Sequence, residues 1–379
     1  MVQTASQGNE LLSKIEKYTC VDLFSGAGGF SLAAIEAGMH VAAAVEYDKA
    51  AAATYRDNIK KAQCGPIDFH EGDILKIDPE KIAEKILNGC DIVLGGPPCQ
   101  GFSVHRIKGA GVDDARNKLI LRYFEYVSAL RPKVFLMENV PGILWERHSA
   151  YLKEFYSEGE RAGYKICKPE ILDARDFGLP QRRKRVFILG VRNDIAEMPS
   201  IKLDWPPSKS HGDERACLAD PTLLRWKTAK SVFDIPLDEN DENNTHMRHR
   251  ADLVEVFKST PLNGGSRHQS SRILPCHQKH NGHSDVYGRI NPDEPGPTMT
   301  TACVNPSKGR FLHPTEHHGI TVRHAARFQT FPEWFVFSGG IMAAARQVGN
   351  AVPVKFGEVL LEKIKNLLDQ YYSANQNER

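Results

Sequence analysis

A cysteine, a glutamate and two arginines stand out as groups that could do chemistry. Cys99 lies in the segment GGPPCQGFS, where two prolines stiffen the approach to the thiol. Glu138 begins the tripeptide ENV, and Arg183 and Arg185 lie in the basic segment QRRKRVF. A thiolate is a nucleophile, a carboxyl group can act as an acid or hold a ring nitrogen, and a guanidinium can bind a phosphate or polarise a carbonyl. Together these groups could form and stabilise a covalent intermediate.

Each of these residues also has a purely structural interpretation. Most lone cysteines are buried spectators, a glutamate often caps a helix or forms an ion pair, and a basic segment is often an exposed loop. Cys99 differs from the other cysteines because it follows a predicted strand, on the side where a glycine-rich turn would place a cofactor. We therefore favour Cys99 as the nucleophile.

Alternating strand and helix patterns predict how these residues are positioned. Strands are predicted at residues 18–24, 41–45, 91–94, 134–137 and 185–191, and helices at 30–37, 119–130 and from residue 46 to about residue 61. Strands and helices that alternate at this spacing indicate an α/β fold with a parallel, doubly wound, Rossmann-like sheet. Ligands bind at the carboxyl ends of such strands, so Cys99 and Glu138 should lie at one edge of the sheet.

A glycine-rich turn, SGAGG, follows the first predicted strand. Gly26, Gly28 and Gly29 would let the backbone approach a ligand closely. Glu46 ends the next strand, where a carboxylate can accept hydrogen bonds from ribose hydroxyls, and Tyr47 could pack against an adenine ring. These residues fit an adenine-containing cofactor. A dinucleotide fits nearly as well, although GAGG lacks the third glycine of its fingerprint, and a plain tight turn is a third interpretation.

Length, charge and composition limit the class of protein. The 379 residues fit a larger domain at 1–195, completed by residues 330–379, and a smaller, irregular domain at 196–329. Net charge is only +2, so composition by itself does not indicate nucleic-acid binding. The eight cysteines show no paired spacing, and no segment is apolar enough to span a membrane. We therefore expect a cytoplasmic protein without a metal.

In order and spacing, these segments resemble the motifs of the C5-cytosine-specific DNA methyltransferases of the bacterial restriction–modification type. The resemblance rests on DLFSGAGGF, VEYD, GDI, GGPPCQGFS, DARNKL, ENV and QRRKRVF, followed by NPDEPGPTMTT, RHAARFQTFPEWF and RQVGNAVP. It covers nearly the whole chain apart from residues 1–17 and 196–285, and PPCQ, ENV and QRRKR in series are highly specific. The resemblance implies a Rossmann-like fold dependent on S-adenosylmethionine, with residues 196–329 as a target-recognition domain.

The resemblance also implies roles for individual residues. Cys99 would be the nucleophile, and Glu138 would contact N3 and the amino group of a cytosine. Arg183 and Arg185 would hold the base, the catalytic loop and nearby phosphate. S-adenosylmethionine would be bound by Phe24, Gly26, Ala27, Gly28, Glu46, Tyr47, Asp73, Ile74, Pro97, Leu119, Asn350 and Ala351. Double-stranded DNA would be contacted by Ser103, His105, Arg106, Gln181, Arg267 and Arg272. Tyr47 departs from the family pattern, in which a tryptophan is common at that position.

The reaction of this family explains why such a set of groups is needed. Carbon 5 of cytosine is too weak a nucleophile to attack a methyl sulfonium unless a thiolate first adds to carbon 6. A carboxyl group at N3 and a cation near O2 would stabilise the charge that develops. The base must also leave the duplex to reach Cys99, and the polar segment of about residues 101–116 would act as a lid.

Three other interpretations stay open at this point. An NAD-dependent oxidoreductase would leave PPCQ, ENV and QRRKR without a role, an RNA-modifying branch of the family would have a shorter variable region, and an inactive relative would not need the intact set. Zinc is not expected, because the spacing of Cys276, His277, His280 and His283 matches no paired-thiolate pattern. We expect a monomer. A cognate restriction endonuclease in the same system is a hypothesis that the resemblance suggests, and the sequence does not tell whether one exists. Composition does not reveal which DNA sequence is recognised.

Overall fold

The computed structural model describes residues 18–63, 65–97, 117–271 and 285–376. Several predicted site residues lie outside the described residues, namely Cys99, Ser103, His105, Arg106 and Arg272. The chain divides into two compact units. Unit 1 comprises Met1–Leu172, Lys184–Pro207 and Gly357–Arg379, and unit 2 comprises Asp173–Arg183 and Ser208–Phe356. The assignment of residues 1–195 and 330–379 to catalysis and of residues 196–329 to target recognition stays a prediction.

A single large sheet is the framework of unit 1. Its strands are β1 (Tyr18–Leu23), β2 (Met39–Glu46), β3 (Asp68–Glu71), β4 (Ile92–Gly95), β5 (Val134–Asn139), β6 (Tyr164–Ile166), β7 (Glu170–Asp173) and β8 (Lys184–Arg192). Within the described residues the order is β3-β2-β1-β4-β5-β8-β6, and β7 also pairs with β8. The first five strands by chain order pair in parallel, as predicted for a doubly wound sheet.

The expectation of a wholly parallel sheet is wrong at one side. Strand β8 runs antiparallel to both β5 and β6. Antiparallel neighbours need no helical crossover, so short connections suffice in this part of the chain. The reversal has a consequence for the site, because the amino end of β8 lies beside the carboxyl end of β5. Glu138 is paired with Phe187 and Asn139 with Val186.

Helices α1 to α6 belong to the first two segments of unit 1. They are α1 (Gly29–Glu36), α2 (Lys49–Ala62), α3 (Pro79–Ala83), α4 (Asn117–Leu130), α5 (Ser149–Arg161) and α6 (Asn193–Ala196). Helix α2 begins where Asp48 caps it, its carboxylate accepting from the backbone N–H groups of Ala50 and Ala51 at 3.0 Å. Helix α4 packs closely on the sheet, since a Cβ at Gly95 would lie 2.5 Å from the Tyr123 ring. An aromatic cluster of Tyr123, Phe124, Phe135 and Phe155 fills the core beside it.

Unit 2 has little regular structure and is held together by buried arginines. It contains β9 (His211–Gly212), β10 (Leu224–Arg225), α7 (Glu214–Ala219), α8 (Lys230–Phe233), α9 (Ala251–Ser259), α10 (Val322–Phe328) and α11 (Ile341–Asn350). Arg323 forms a bidentate ion pair with Asp241, with N–O distances of 2.5 and 2.9 Å. Arg289 is fully buried and donates to the carbonyls of Phe257, Thr260 and His313. Arg289 thereby supplies donors to carbonyls at the end of α9 and in the loops that follow it.

The final helix, α12 (Val354–Gln376), spans the boundary between the units. Its residues from 357 onward belong to unit 1, where Tyr18 donates to Asp369 at 2.5 Å and Tyr372 donates to Asp91 at 2.7 Å. Lys133 lies 2.9 Å from the same Asp91 carboxylate. These residues of the C-terminal helix therefore pack within unit 1. In the described part of the chain, no helix is long and apolar enough to cross a membrane.

Candidate active site

The glycine-rich turn joins β1 to α1 through three residues with left-handed backbone conformations. Phe24, Gly26 and Gly28 have φ angles of 59°, 57° and 98°. Gly28 is required for two reasons, because a Cβ there would also lie 2.8 Å from Ile59. Gly26 has no heavy atom within 4 Å of an added Cβ among the described residues, so its outer face is open. The positive φ of Phe24 is strained, because a bulky side chain rarely adopts this conformation, whereas Gly and Asn adopt it more easily. Strained backbone of this kind is typical of functional turns.

Glu46, at the end of β2, is hydrogen-bonded to this turn. Its carboxylate accepts from the backbone N–H of Gly26 at 2.7 Å and from that of Asp48 at 2.6 Å. Burial is the main cause that raises the pKa of Glu46 above its ordinary value, and these two N–H donors oppose it. The next residue, Tyr47, is 75% exposed, so its ring is free to stack on a planar ligand.

The segment after β3 is clamped by α4. Arg122 donates to the carbonyls of Ile74 at 2.9 Å and Ile77 at 2.6 Å, and the Tyr126 hydroxyl donates to Ile77 at 2.8 Å. Asp73, in the same segment, accepts from the backbone of Leu75 at 3.1 Å. Sequence reasoning missed Arg122 and Tyr126, because they read as ordinary positions on an amphipathic helix. Both fix the backbone that carries the predicted cofactor residues Asp73 and Ile74.

Several predicted cofactor residues are brought together in unit 1. Phe24, Ile74 and Leu119 belong to one apolar cluster, in which Ile74 is buried and the other two are partly buried. Ala27 is buried in the turn, and Pro97 is buried just beyond the end of β4. Strands β1, β2 and β4 are parallel neighbours, so all of these residues lie at the carboxyl edge of the sheet.

Glu138, near the end of β5, forms an ion pair with Arg185 in β8. The distance from Arg185 Nε to Glu138 Oε1 is 2.8 Å, and the two side chains are only 11% and 14% exposed, the glutamate being the more buried. The antiparallel reversal of β8 makes this contact possible, since it brings residue 185 to the carboxyl end of β5. Charge-assisted hydrogen bonds of this kind hold a carboxyl group in one orientation. One carboxylate oxygen, Oε2, takes no part in this ion pair.

Asn139 connects Glu138 to the approach of the predicted nucleophile. Its side-chain amide donates to the carbonyl of Pro97 at 3.4 Å, and its Oδ1 accepts from the backbone of Val140 at 2.9 Å. Pro97 is the last described residue before Cys99. The carboxyl end of β5 is therefore tied to the segment from which Cys99 follows.

The structure changes the interpretation of Arg183. Strand β8 begins at Lys184, so Arg183 directly precedes it. Its guanidinium is fully buried and donates to the carbonyls of Met299, Gly349 and Ala351, each at 2.9 Å. A guanidinium with these partners supports the backbone of unit 2 and is not placed to bind a phosphate.

Gln181 is likewise buried in unit 2, and its predicted contact with DNA needs revision. The side chain is 0% exposed and donates to the Phe328 carbonyl at 2.6 Å, while its Oε1 accepts from the backbone of Met299 at 3.2 Å. Arg267 is only 5% exposed, which also removes its side chain from a surface where it could read a base edge. The contacts of Gln181 organise the interior of unit 2.

The predicted closing residues Asn350 and Ala351 lie at the end of α11 in unit 2. Asn350 is exposed and Ala351 is buried. The preceding Gly349 has a packing role, because a Cβ there would lie 2.3 Å from the backbone of Thr300. Arg183 donates to the carbonyls of Gly349 and Ala351, which lie on either side of Asn350 in the chain. The contact of Asn350 and Ala351 with a cofactor stays a prediction.

The described residues contain no group of three or more His, Cys, Asp or Glu side chains arranged to hold a metal ion. The described site residues comprise a glycine turn, the Glu46 carboxylate bonded to it, and the buried pair of Glu138 and Arg185. This arrangement can hold a nucleoside-containing cofactor beside a polar ring.

Comparison with known proteins identifies the class. A family model described as C-5 cytosine-specific DNA methylase matches residues 18–366. The chain therefore belongs to the C-5 cytosine-specific DNA methylases, and it is a DNA (cytosine-5-)-methyltransferase. The alternative of an NAD-dependent oxidoreductase is wrong.

Two curated relatives are similar over most of their length. Type II methyltransferase M1.HphI of Haemophilus parahaemolyticus is 32% identical over 348 residues, covering 91% of this chain and 86% of the relative. Type II methyltransferase M.Eco47II of Escherichia coli is 31% identical over 361 residues, covering 93% of this chain and 80% of the relative.

Solved structures agree with the fold. A crystal structure described as a DNA modification methyltransferase encoded within an E. coli prophage has a TM-score of 0.70 and 26% identity, covering 93% of this chain and 100% of that chain. Spodoptera frugiperda DNMT2, with a TM-score of 0.59 and 20% identity over 92% of this chain and 100% of that chain, shares the fold. The predicted Rossmann-like methyltransferase fold is thereby confirmed.

Proposed function

We propose that this enzyme transfers a methyl group from S-adenosylmethionine to carbon 5 of a cytosine flipped out of duplex DNA, through a covalent bond between Cys99 and carbon 6. The observation that carries the proposal is the pair of Glu138 and Arg185 at the carboxyl edge of the sheet. Through Asn139 and Pro97 this pair is tied to the segment of Cys99. The glycine turn and Glu46 lie at the same edge.

The residues at this edge fit S-adenosylmethionine. Glu46 supplies a fixed carboxylate for ribose hydroxyls, Tyr47 an exposed ring for adenine, and Gly26 an open backbone. The apolar cluster of Phe24, Ile74 and Leu119 would cover the nucleoside. When bound, the cofactor supplies an electrophilic methyl group on a sulfonium.

The protein side chains would then activate the base in ordered steps. The Cys99 thiolate adds to carbon 6, and Glu138 shares a proton with N3, which makes carbon 5 nucleophilic. Arg185 holds one oxygen of Glu138, so the other oxygen is left to face the ring. Methyl transfer to carbon 5 would leave the cofactor as a neutral thioether. The proton on carbon 5 would then pass to water, and the electrons of that carbon–hydrogen bond would restore the double bond between carbons 5 and 6 as the carbon–sulfur bond breaks and Cys99 leaves as a thiolate.

The names of the relatives support the biological setting. Both curated relatives are Type II methyltransferases, so we propose that this enzyme methylates double-stranded DNA within a restriction–modification system. In such a system it would act in the cytoplasm as a monomer, with a cognate restriction endonuclease that cuts the same unmethylated sequence.

The test of this proposal is methyl transfer itself. Purified enzyme should move radiolabelled methyl from S-adenosylmethionine to mixed-sequence duplex DNA, and bisulfite sequencing should place the label on cytosines in one sequence context. Label on adenine, on RNA only, or on no nucleic acid would contradict the proposal.

Cofactor affinity should fall when Glu46 is replaced by alanine. The change removes the carboxylate expected to hold the ribose, so binding of S-adenosylmethionine should weaken by about 1–3 kcal/mol, the scale of a charged hydrogen bond. Calorimetry measures this directly. Glu80→Ala on the exposed face of α3 is the control and should bind normally. Unchanged affinity in Glu46→Ala would remove Glu46 from the cofactor site.

Sequence recognition is proposed to lie in residues 196–329. Exchanging residues of about 200–285 for the corresponding segment of a relative should change which sequence is methylated and leave the methyl-transfer rate on the new site similar. Bisulfite sequencing of plasmid DNA from cells that express the chimaera gives the readout. If the methylated sequence stayed the same, recognition would lie elsewhere in the chain.

A further inference from the structure

A chain of three buried polar side chains lies beneath the glycine turn and has no part in the steps above. Asp22 of β1, Ser31 of α1 and Tyr55 of α2 are each 1% exposed or less. The Ser31 hydroxyl donates to Asp22 Oδ2 at 2.7 Å, and the Tyr55 hydroxyl lies 2.8 Å from Ser31 Oγ. Because Ser31 gives its proton to the carboxylate, Tyr55 is the donor to Ser31. The hydrogen bonds therefore all point toward Asp22.

This chain is joined to the turn at both ends. Asp22 stands two residues before Phe24, where the left-handed turn begins, and Ser31 lies in the first turn of α1 directly after it. The Tyr55 ring covers the turn from the other side, since a Cβ on Gly28 would lie 3.1 Å from Tyr55 Cδ2. A change at Asp22 is therefore transmitted to the backbone expected to hold the cofactor.

Asp22 is placed to change its charge near neutral pH. Burial is the largest influence, and with the nearby Glu46 carboxylate it raises the pKa of Asp22 to about 7. The hydroxyl and the backbone N–H of Ser31 oppose that rise, because both stabilise the ionised form. The charge of Asp22 therefore changes as the pH passes through the neutral range.

Besides Ser31, the described groups that interact electrostatically with Asp22 come from three elements. They are Glu46 on β2, Tyr55 on α2 and Tyr123 on α4. Burial raises the pKa of both tyrosines well above the ordinary value, so they stay neutral around pH 7. The pKa of Glu46 is also raised by burial, which makes Glu46 the one neighbour whose titration must be separated experimentally from that of Asp22.

We propose that Asp22 is a positioning residue whose ionised form makes the cofactor edge favour the cationic methyl donor over the neutral demethylated product. The inference rests on the proposed function. S-adenosylmethionine carries one more positive charge than S-adenosylhomocysteine, because methyl transfer converts its sulfonium to a thioether. A buried carboxylate is poorly screened, so it stabilises the cation and leaves the product little affected. The donor would then compete more effectively with the product at a pH where Asp22 is ionised.

The preference for S-adenosylmethionine should increase with pH. Above pH 7 Asp22 is mostly ionised and attracts the cation, and below pH 7 it is mostly neutral and the attraction is lost. Affinities for S-adenosylmethionine and S-adenosylhomocysteine should therefore be measured by calorimetry between pH 6 and 8.5. The ratio of the affinity for S-adenosylmethionine to the affinity for S-adenosylhomocysteine should rise by about threefold to tenfold across this range, as expected for a charge at moderate distance.

Two variants test whether Asp22 causes the rise. In Asp22→Asn the ratio should be flat with pH, whereas Asp57→Asn, an exposed residue on the same helix as Tyr55, should keep the full rise. A rise that persists in Asp22→Asn would assign the titration to Glu46 and overturn the proposal. Thermal melting checks that the variant is folded.

Ser31→Ala gives an independent test that does not depend on removing the carboxyl group. Without the Ser31 hydroxyl, the ionised form of Asp22 is less stable, so the midpoint of the rise should move to higher pH. A purely structural role of Ser31 would weaken both ligands at every pH and leave the midpoint in place, which would overturn the proposal. If neither ligand bound the unaltered enzyme at pH 8.5, the proposed function itself would fail.

Discussion

Replacing Cys99 with alanine should abolish methyl transfer to DNA. The proposed reaction begins with addition of the Cys99 thiolate to carbon 6, and no side chain of alanine can replace that bond. Initial rates with radiolabelled S-adenosylmethionine should fall to the background of the assay. Cofactor affinity should stay near normal, because Glu46 and the glycine turn are unchanged.

A duplex with fluorine at carbon 5 of the target cytosine would identify the nucleophile directly. The fluorinated ring has no proton to lose after methylation, so the enzyme should remain bonded to the DNA through denaturing electrophoresis. Peptide mapping should place the DNA on the segment that contains Cys99. Cys167→Ala is a suitable control, because burial raises the pKa of that thiol and disfavours its reactive form. An adduct at any other cysteine would disprove the assignment.

Glu138→Gln should lower the turnover rate by about 10²- to 10⁴-fold, the range for loss of a positioned acid–base group. Glutamine can keep the contact with Arg185 but cannot share a proton with N3 in the same way. Steady-state kinetics on a duplex substrate gives the rate, and calorimetry should show that cofactor affinity is retained. Glu154→Gln, on an exposed position of α5, should behave as the unaltered enzyme.

The pairing with Arg185 makes a second expectation. Removing Arg185 and Glu138 together should cost less than the sum of the two single changes, because both act on the same hydrogen bond. Strictly additive effects would mean that the ion pair seen between β5 and β8 has no role in turnover. A Glu138→Gln enzyme with full activity would exclude Glu138 from the chemistry.

The cofactor edge could be predicted from local sequence because its geometry is local. A strand, a glycine turn and a helix follow one another within residues 18–36. Glu46 ends the next parallel strand, as expected. The hydrogen bond between Glu46 and Gly26 follows from that arrangement. Asp22 was not singled out, because an aspartate near a strand end gives no sign in the sequence that it will be buried.

The basic segment shows where such reasoning stops. Residues 181 to 184 alternate between buried and exposed, a period of two that extended backbone dictates. The partners of the buried side chains, however, come from distant parts of the chain. Arg183 binds carbonyls of Met299 and Gly349, more than a hundred residues further along. The sequence around Arg183 therefore looks like an exposed cationic loop. Likewise, nothing local indicates that β8 runs antiparallel to β5.

The way unit 1 is assembled has a consequence for synthesis of the enzyme. Its last segment, from residue 357 onward, contributes the buried side chains Leu360, Leu361, Ile364, Leu367 and Leu368. At a translation rate of about 5–20 residues per second, the early strands must wait on the order of ten seconds or more for that helix. Until then their apolar surface is available to chaperones and to neighbouring nascent chains. A chain truncated before residue 357 would therefore leave this apolar surface uncovered and should be prone to aggregate.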